Sequence, residues 1–565
     1  MGLDPIKSAG MTGPSADASR AGVSGGQIPW AIPVLLLVSL VAGSMLRPDE
    51  RAPVLRDRHF GAVRLEVQGD RIRAEADPTA TVHYTLDGRF PGPWSPRLVG
   101  ALLVEGNARE AAALQHVPTS VQWRPPVPGL PTAAVVRACA CIPEGCGPVA
   151  TRTVVPDLNT LPIVALTLEP GALFDPDTGI YVPGHGPFRT NEEAVRKFPA
   201  DPKWWKYPGN YQFRGREWQR TGVMELFDER GAWQWESAVG VRTNGNNTRG
   251  FPQHALRLVF KDPVDPPVFG GREGSDFHAF VLRAAGNDMD RCFFRDALQH
   301  RICAGLPFGV SAGEPCVVFI NGAYWGIHHL RERVDDDEIG RRYGIDPGRV
   351  AIIADRGVVY RGGRKARNDL MHLLGRLARW DAGSSSYADS IDHYLHLDGM
   401  LAYLAAQIIL ENTDWPDQNV KFWRWEGERT LEVGPRDGRW RVEMGDSDMG
   451  LGYNGDAEYD MFAHVERHGG PVAQIYQAVV RSPALRERFR AIVLGMLDGP
   501  LSSARMVEAV DGMERELGPE MPRHIARWRR PVSMTAWHAD VARMRTFATR
   551  REQAMRDQLD RYFPR

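Results

Sequence analysis

Residues 410–452 carry the tightest constraint on this chain. They read LENTDWPDQNVKFWRW, a charged turn, and then RWRVEMGDSDMGLG. Two clusters of acidic and amide side chains, Asp414/Asp417/Asn419 and Asp446/Asp448, stand 32 positions apart, counted from Asp414 to Asp446. Between them run two short apolar or aromatic segments, 420–425 and 440–444, bounded by Gly427 and by Gly434 and Gly438. Together they read as a hairpin. A base at the end of one loop, an amide five residues on, and an Asp just after a hairpin is the layout of a phosphoryl-transfer site. There the first Asp orients the attacking hydroxyl, while the Asn and second Asp hold Mg²⁺ against the phosphates. The competing reading is a pair of surface turns, because Asp and Asn favour turns.

Three further stretches bear on that choice. Residues 241–260 read VRTNGNNTRGFPQHALRLVF, residues 280–303 FVLRAAGNDMDRCFFRDALQHRIC, and residues 319–344 FINGAYWGIHHLRERVDDDEIGRRYG. In order and spacing they resemble the motifs of the CotH kinase family, secreted or surface proteins named for a bacterial spore-coat component. The family's G-N-S-S-R-x-F-P loop matches Gly245 to Pro252, and its L-R-N-x-x-N-D…R-D-A-L segment matches Leu282 to Leu298. Its N-G-x-Y-x-G-x-x-x-L-x-E run matches Asn321 to Glu332. Its N-x-D-W-P-x-x-N and D-x-D-x-G motifs fall on Asn412 to Asn419 and Asp446 to Gly450.

The resemblance covers about residues 161–565 and implies an α+β, two-lobed protein-kinase-like domain there. It implies phosphoryl transfer from ATP, with Mg²⁺ or Mn²⁺, to a hydroxyl of a secreted or cell-surface protein. Carried over residue by residue, Asp414 is the catalytic base, with Asp417 the weaker candidate. Asn419, Asp446 and Asp448 are the metal ligands. Gly245, Asn246, Arg249, His254 and Glu332 face the nucleotide, Glu332 at the segment that meets adenine. Glu332 also reads as a structural partner of Arg331 or Arg333.

One departure stands out. The family places a lysine on the nucleotide in the strand after the glycine loop, whereas this chain reads Pro252-Gln253-His254. A neutral imidazole supplies one donor, and a protonated one is a weaker, pH-dependent cation than an ammonium. Arg257, three positions on, points to the opposite strand face and reads as a poor substitute. Arginine far outnumbers lysine; the lysines are Lys7, Lys197, Lys203, Lys206, Lys261, Lys365 and Lys421. Either Arg283, Arg249 or another arginine makes the phosphate contact, or the chain is a slow or inactive pseudoenzyme. The runner-up reading is therefore a non-catalytic, pseudokinase-like surface assembly or binding protein. A third reading keeps the nucleotide chemistry but transfers a nucleotidyl group.

The amino-terminal region bears on location. Residues 1–27 are polar and rich in Gly, Ser and Ala, as a disordered leader would be. Residues 28–46 (IPWAIPVLLLVSLVAGSML) run without a charge to Arg47. About 20 apolar residues span a bilayer, whereas a signal-peptide core takes about 7–15. The expectation is a single transmembrane signal-anchor, a linker at 47–59, and a C-terminal body outside the cytoplasm. Cleavage near Ala42 to Ser44 is the alternative.

Residues 63–76 and 81–85, in a β-rich segment over about 60–155, alternate apolar and polar positions, with turn chemistry at Asp87-Gly88. TVHYTLDGRFPGPWS and VVRACACIPEGCGPVATRTVV resemble the small immunoglobulin-like β-sandwich that ends chitobiases and hexosaminidases. The implied role is a spacer, with glycan contact through an exposed aromatic such as Trp94 as the sharper alternative. Cys139, Cys141 and Cys146 fall in this module without zinc-ribbon spacing or paired histidines. Buried free thiols are the expectation, and an exported chain also allows Cys146 to pair with one of the other two. A chain of 565 residues exceeds one core. Its net charge of −1 gives no basic groove for nucleic acid.

Overall fold

Alternating apolar residues from Val63 onward fold as strands that bury one face. The computed structural model describes residues 62–103, 108–185, 204–206, 209–269 and 276–564. The leader, the 28–46 span and the 47–59 linker lie outside the described residues. Among the described residues no helix is long and apolar enough to cross a membrane.

The first strands are β1 (Arg64–Gln68), β2 (Arg71–Glu75), β3 (Thr81–Thr85), β4 (Ala101–Leu103), β5 (Ala134–Ile142), β6 (Gly145–Cys146) and β7 (Ala150–Val154). They form two small sheets, β1-β2-β4 and β3-β5-β6, with β7 also paired to β5. Leu65 and Ile72 of the first sheet share a core with Val136, Ala138 and Ala140 of the second. These two sheets are bonded to the body of the chain beyond residue 160 rather than spaced from it. Ala133 N–H donates to Gly322 O at 2.8 Å, and the Thr153 N–H and hydroxyl donate to Glu225 at 3.1 and 2.5 Å. The free-thiol expectation is corrected at two positions. Cys141 and Cys146 are register partners on β5 and β6 and form a disulfide, while Cys139 stays free.

Next come β8 (Ile163–Leu168), β9 (Arg220–Phe227), β10 (Trp233–Thr243), β11 (Leu256–Val264), β12 (Phe277–Arg283), β13 (Gly313–Ile320) and β14 (Ala323–Glu332). They close into a seven-stranded barrel, in the order β10-β11-β12-β14-β13-β8-β9, where the kinase resemblance suggests a lobe. Period-two alternation explains its filling. Val164 and Leu166 point inward with Val318, Leu258 and Leu282, while Ile163, Ala165, Val317 and Phe319 point outward into the core shared with the helices.

The second lobe is mainly helical and carries the sheet β16-β15-β17-β18, built from β15 (Val350–Ala354), β16 (Val358–Arg361), β17 (Val420–Trp425) and β18 (Arg441–Met444). Strands β17 and β18 are antiparallel, as the hairpin reading expects. Trp415, Phe422, Trp423, Trp425 and Trp440 are all core residues. The apolar run before Asp414 is the helix Leu397–Ile409, buried along nearly its whole length. Each large side chain so buried contributes about 1.5–3 kcal/mol. Residues 333–335 join the lobes and end in Asp335, whose carboxylate accepts from Glu338 N–H at 3.1 Å and caps the helix Asp336–Tyr343.

Candidate active site

The cleft lies between the outer face of β12 and β14 and the ends of β17 and β18. A cavity of about 240 Å³ opens there, lined by Arg283, Arg333, Tyr360, Lys421 and Asp446 among others. The loop after β18 is held from below by the helix Arg295–Ile302. Asp296 accepts from Ser447 N–H at 3.0 Å, and Gln299 Nε2 donates to Ser447 O. His300 Nε2 lies 2.9 Å from Gly445 O, and Arg295 Nη1 donates to Gly450 and Leu451 carbonyls. Asp288 in turn accepts from Arg295 N–H and Nε, which fixes the start of that helix.

Arg283, at the end of β12, links the two sides. Its Nε is 3.2 Å from Asp296, and its Nη2 is 2.5 Å from Asp446 Oδ1 and 3.3 Å from Asp448 Oδ2. Burial opposes its charge, but Asp296, then Asp446 and Asp448, outweigh it and hold the guanidinium above its ordinary value. Burial likewise opposes the Asp296 charge, yet Arg283 and Arg331 hold that carboxyl well below the usual range. A strand cation paired with a helix carboxylate at the cleft is the arrangement kinases use beside their phosphates.

The structure separates the three metal candidates. Asp446 keeps about a third of its side chain exposed, at 32%, and faces the cavity. Asp448 is 2% exposed and accepts from Asn287 N–H at 2.7 Å and from Asn287 Nδ2. Burial, then repulsion by Asp446, raises its carboxyl well above the usual range. It supports the loop rather than opening to it. Gly286 is required for this approach: its φ is +63°, and a Cβ there would stand 2.2 Å from Asp448 Oδ2. Asn419, in the left-handed region at φ 65°, donates Nδ2 to Asp414 Oδ2 at 2.9 Å, which leaves its amide oxygen as an acceptor.

Asp414 also accepts from Gln418. Burial raises its proton affinity; Asn419 and Gln418 lower it, and the charges of Asp446 and Asp355 raise it again. Asp417 is turned to Arg356. Asp355, which sequence reasoning missed, accepts the backbone N–H groups of Val420 and Asn419 beside the site. The donors around Asp446 and Asn419 are hard oxygens among crowded carboxylates, and they fit Mg²⁺ or Mn²⁺.

The nucleotide candidates scatter. Asn244 reaches the cavity, and Gly245 turns the loop at φ +104°. Arg249 is folded inward onto Gly245 O, Tyr211 O, Phe213 O and Thr243 Oγ1, so it braces the loop. Asn246 Oδ1 accepts from Arg214. His254 is fully buried between Tyr181 and Tyr211, with Nε2 3.0 Å from Thr119 O. Burial pulls its pKa down to about 3. Glu332 lines the cavity, but its carboxylate accepts from Arg341 at 2.8 Å, Arg342 at 3.3 Å and Ala312 N–H at 2.8 Å. Its hydrogen-bonded arginine partners thus include Arg341 and Arg342 of the next helix.

The cations that do reach the cleft come from elsewhere. Lys421 is half-buried, donates to Val334 O at 2.5 Å, and lies 4.4 Å from the Tyr360 ring centre. Burial, then Arg333, pulls its ammonium down to about 8. Arg242, Arg257, Val281 and Arg331 form one rung across β10, β11, β12 and β14. Val281 and Arg331 line the cavity, so Arg257 stands on the cleft side of the sheet and His254 does not. The expectation for Arg257 is corrected on this point: facing away from His254 brings it toward Lys421, Arg333 and Tyr360.

Residues 241–555 match the family described as CotH kinase protein. No curated protein matches the chain. Among solved structures, a complex of HipA and HipB with operator DNA, from the toxin–antitoxin system of Shewanella oneidensis MR-1, aligns at 13% identity with a TM-score of 0.23. That alignment covers 55% of this chain and 65% of the other, so this chain spans less than two thirds of its length.

Proposed function

The chain belongs to the CotH kinase protein family, and from that premise we propose an atypical protein kinase that transfers the γ-phosphoryl group of ATP to a hydroxyl of a secreted or cell-surface protein. The observation that carries this reading is Arg283, bonded at once to Asp296 of the helix and Asp446 of the metal-candidate loop. It supplies the strand cation that His254 cannot.

Asp414 takes the proton of the attacking hydroxyl; its burial among carboxylates makes it the stronger base. As the new O–P bond forms, the bond from the γ-phosphorus to the bridging oxygen breaks, and negative charge passes to the ADP leaving group. Arg283, Lys421 and Arg257 are the cations that meet that charge. Asp446 and Asn419 would hold Mg²⁺ or Mn²⁺, whose part is to neutralise phosphate charge. The charge-free 28–46 stretch supports a membrane anchor with this body outside the cytoplasm. Trp94, 80% exposed, supports glycan contact through a chitobiase-type sandwich at 60–155.

One observation favours a second reading, a pseudokinase-like binding protein: the Arg283 guanidinium already neutralises Asp446, the carboxylate a metal would take. Binding of ATP to the purified chain with Mg²⁺ or Mn²⁺, followed by mass analysis of co-expressed surface proteins and of the chain itself, separates the readings. A phosphoryl mass increment supports the kinase, and a nucleotidyl increment supports the related transferase. Absence of nucleotide binding supports the binding protein.

A further inference from the structure

Three sulfur atoms meet on one face of β5. Cys139 and Cys141 are two positions apart on that strand and project to the same side. Cys146 on β6 is the register partner of Cys141. The other face of β5 buries Val136, Ala138 and Ala140 in the small core, so the sulfurs face the segment that carries Pro91. There the Cys139 thiol donates to Pro91 O at 3.4 Å. Cys139 Sγ lies 3.5 Å from Cys141 Sγ, and the three sulfurs all lie within 4.8 Å of one another.

The 3.5 Å between the Cys139 and Cys141 sulfurs is close to the sulfur–sulfur edge of a thiolate metal site, and the Cys146 sulfur, now bonded covalently to Cys141, can move out to such a separation once that disulfide is reduced. Tetrahedral zinc with bonds of about 2.3 Å sets its sulfurs about 3.8 Å apart. His83, the register partner of Cys139, is occupied at both ring nitrogens, at 2.7 Å from Ser95 O and 3.0 Å from Thr81 Oγ1. The donor set is therefore sulfur alone, which selects a soft cation over Mg²⁺, Mn²⁺ or Ca²⁺. Three thiolates around a divalent cation leave one net negative charge, a smaller cost in a buried place than a monovalent ion would leave.

We infer that Cys139, Cys141 and Cys146 form a binding site for a soft divalent d¹⁰ cation such as Zn²⁺, closed while Cys141 and Cys146 are disulfide-bonded. A dithiol reductant opens it. Two electrons and two protons pass to the Cys141 and Cys146 sulfurs as the reductant becomes a disulfide. The cation then displaces three thiol protons to solvent and binds three thiolates. Cys146 is half-buried and marks the side from which the ion and a water ligand enter. The site is independent of the cleft and of any kinase activity.

The test is titration with Cd²⁺ of the full-length chain, reduced with a phosphine that is then removed. The expected result is one sulfur-to-cadmium charge-transfer band that saturates at one equivalent, is reversed by Zn²⁺, and is absent from the oxidised chain. Cys139→Ser should lower the affinity at least tenfold. In the reduced wild type, bound Cd²⁺ should protect Cys146, the half-buried one of the three, from alkylation, as read by peptide mass spectrometry, so the assignment does not rest on a variant alone. No band in the reduced chain, equal binding by Cys139→Ser, or protection confined to Cys292, Cys303 and Cys316 would overturn the site.

Discussion

Arg283 Nη2 lies 2.5 Å from Asp446 Oδ1, so the end of a barrel strand is bonded directly to the loop that succeeds the β17–β18 hairpin. The same guanidinium holds Asp296 through Nε, and one side chain thereby fixes the relative position of strand, helix and loop.

Replacing Arg283 with Met should remove that link and leave Asp448 buried beside Asp446. Loss of one partner from a buried ionic group costs about 3 kcal/mol, so the melting temperature should fall by several degrees. ATP affinity should fall at least tenfold. Arg283→Lys should recover stability in part, because an ammonium cannot serve three carboxylates in a planar fork. Melting curves and nucleotide titrations of both variants check this; equal ATP affinity in Arg283→Met would remove Arg283 from the phosphate site.

The two central carboxylates should separate binding from turnover. Asp446→Asn should weaken metal-dependent nucleotide binding and abolish phosphoryl transfer. Asp414→Asn should retain binding and lose only transfer. Undiminished metal-dependent binding in Asp446→Asn would show that the ligand lies elsewhere.

Restoring the family's lysine at position 254 should harm this chain. The His254 ring is buried against Tyr181, Tyr211 and Thr119, so an ammonium there is desolvated and meets no counter-ion among the described residues. His254→Lys should cost roughly 3 kcal/mol or more and give no gain in ATP affinity. Lys421→Met, by contrast, should weaken ATP binding about tenfold while leaving the fold in place. Tighter ATP binding by a folded His254→Lys variant would reverse the assignment.

A pH dependence should come from Glu225. Burial pushes its pKa up to about 7, with Thr153 and Arg152 opposing, whereas the unfolded carboxyl titrates near its ordinary value of about 4.3. Between those two values the folded chain holds a proton that the unfolded chain has lost. Stability from this group is therefore full below about pH 4 and falls as pH rises to about 7, by roughly 3 kcal/mol. Glu225→Gln should flatten that slope in denaturant melts taken across this range. An unchanged slope would exclude Glu225 as its source.

Full-length protein should fractionate with membranes, and removal of residues 1–46 should give a soluble, folded body. Recovery of the intact chain from the soluble fraction would remove the anchor.

The sequence made the β17–β18 hairpin readable because two apolar runs are bounded by glycines. The barrel was not readable. The apolar run of β8 carries no record of its partners, and β8 pairs in parallel with β13, about 150 residues away. Arg257 shows the same limit at the site. Alternation established that it faces away from His254, but only the folded sheet shows which face borders the cleft. Asp355 comes to lie beside both Lys421 and Asp414 only because β15 pairs with β17.

The grip of the helix Arg295–Ile302 on residues 445–451 has a mechanical consequence. Arg295, Asp296, Gln299 and His300 all bond to that segment, so helix and loop travel as one lever. Asp414 and Asn419 stand on the loop before β17, whose Asn419 O accepts from Gly445 N–H at the near end of that segment. A tilt of the helix would therefore be passed to Asp446 through a segment already pinned beside the Asn419 backbone.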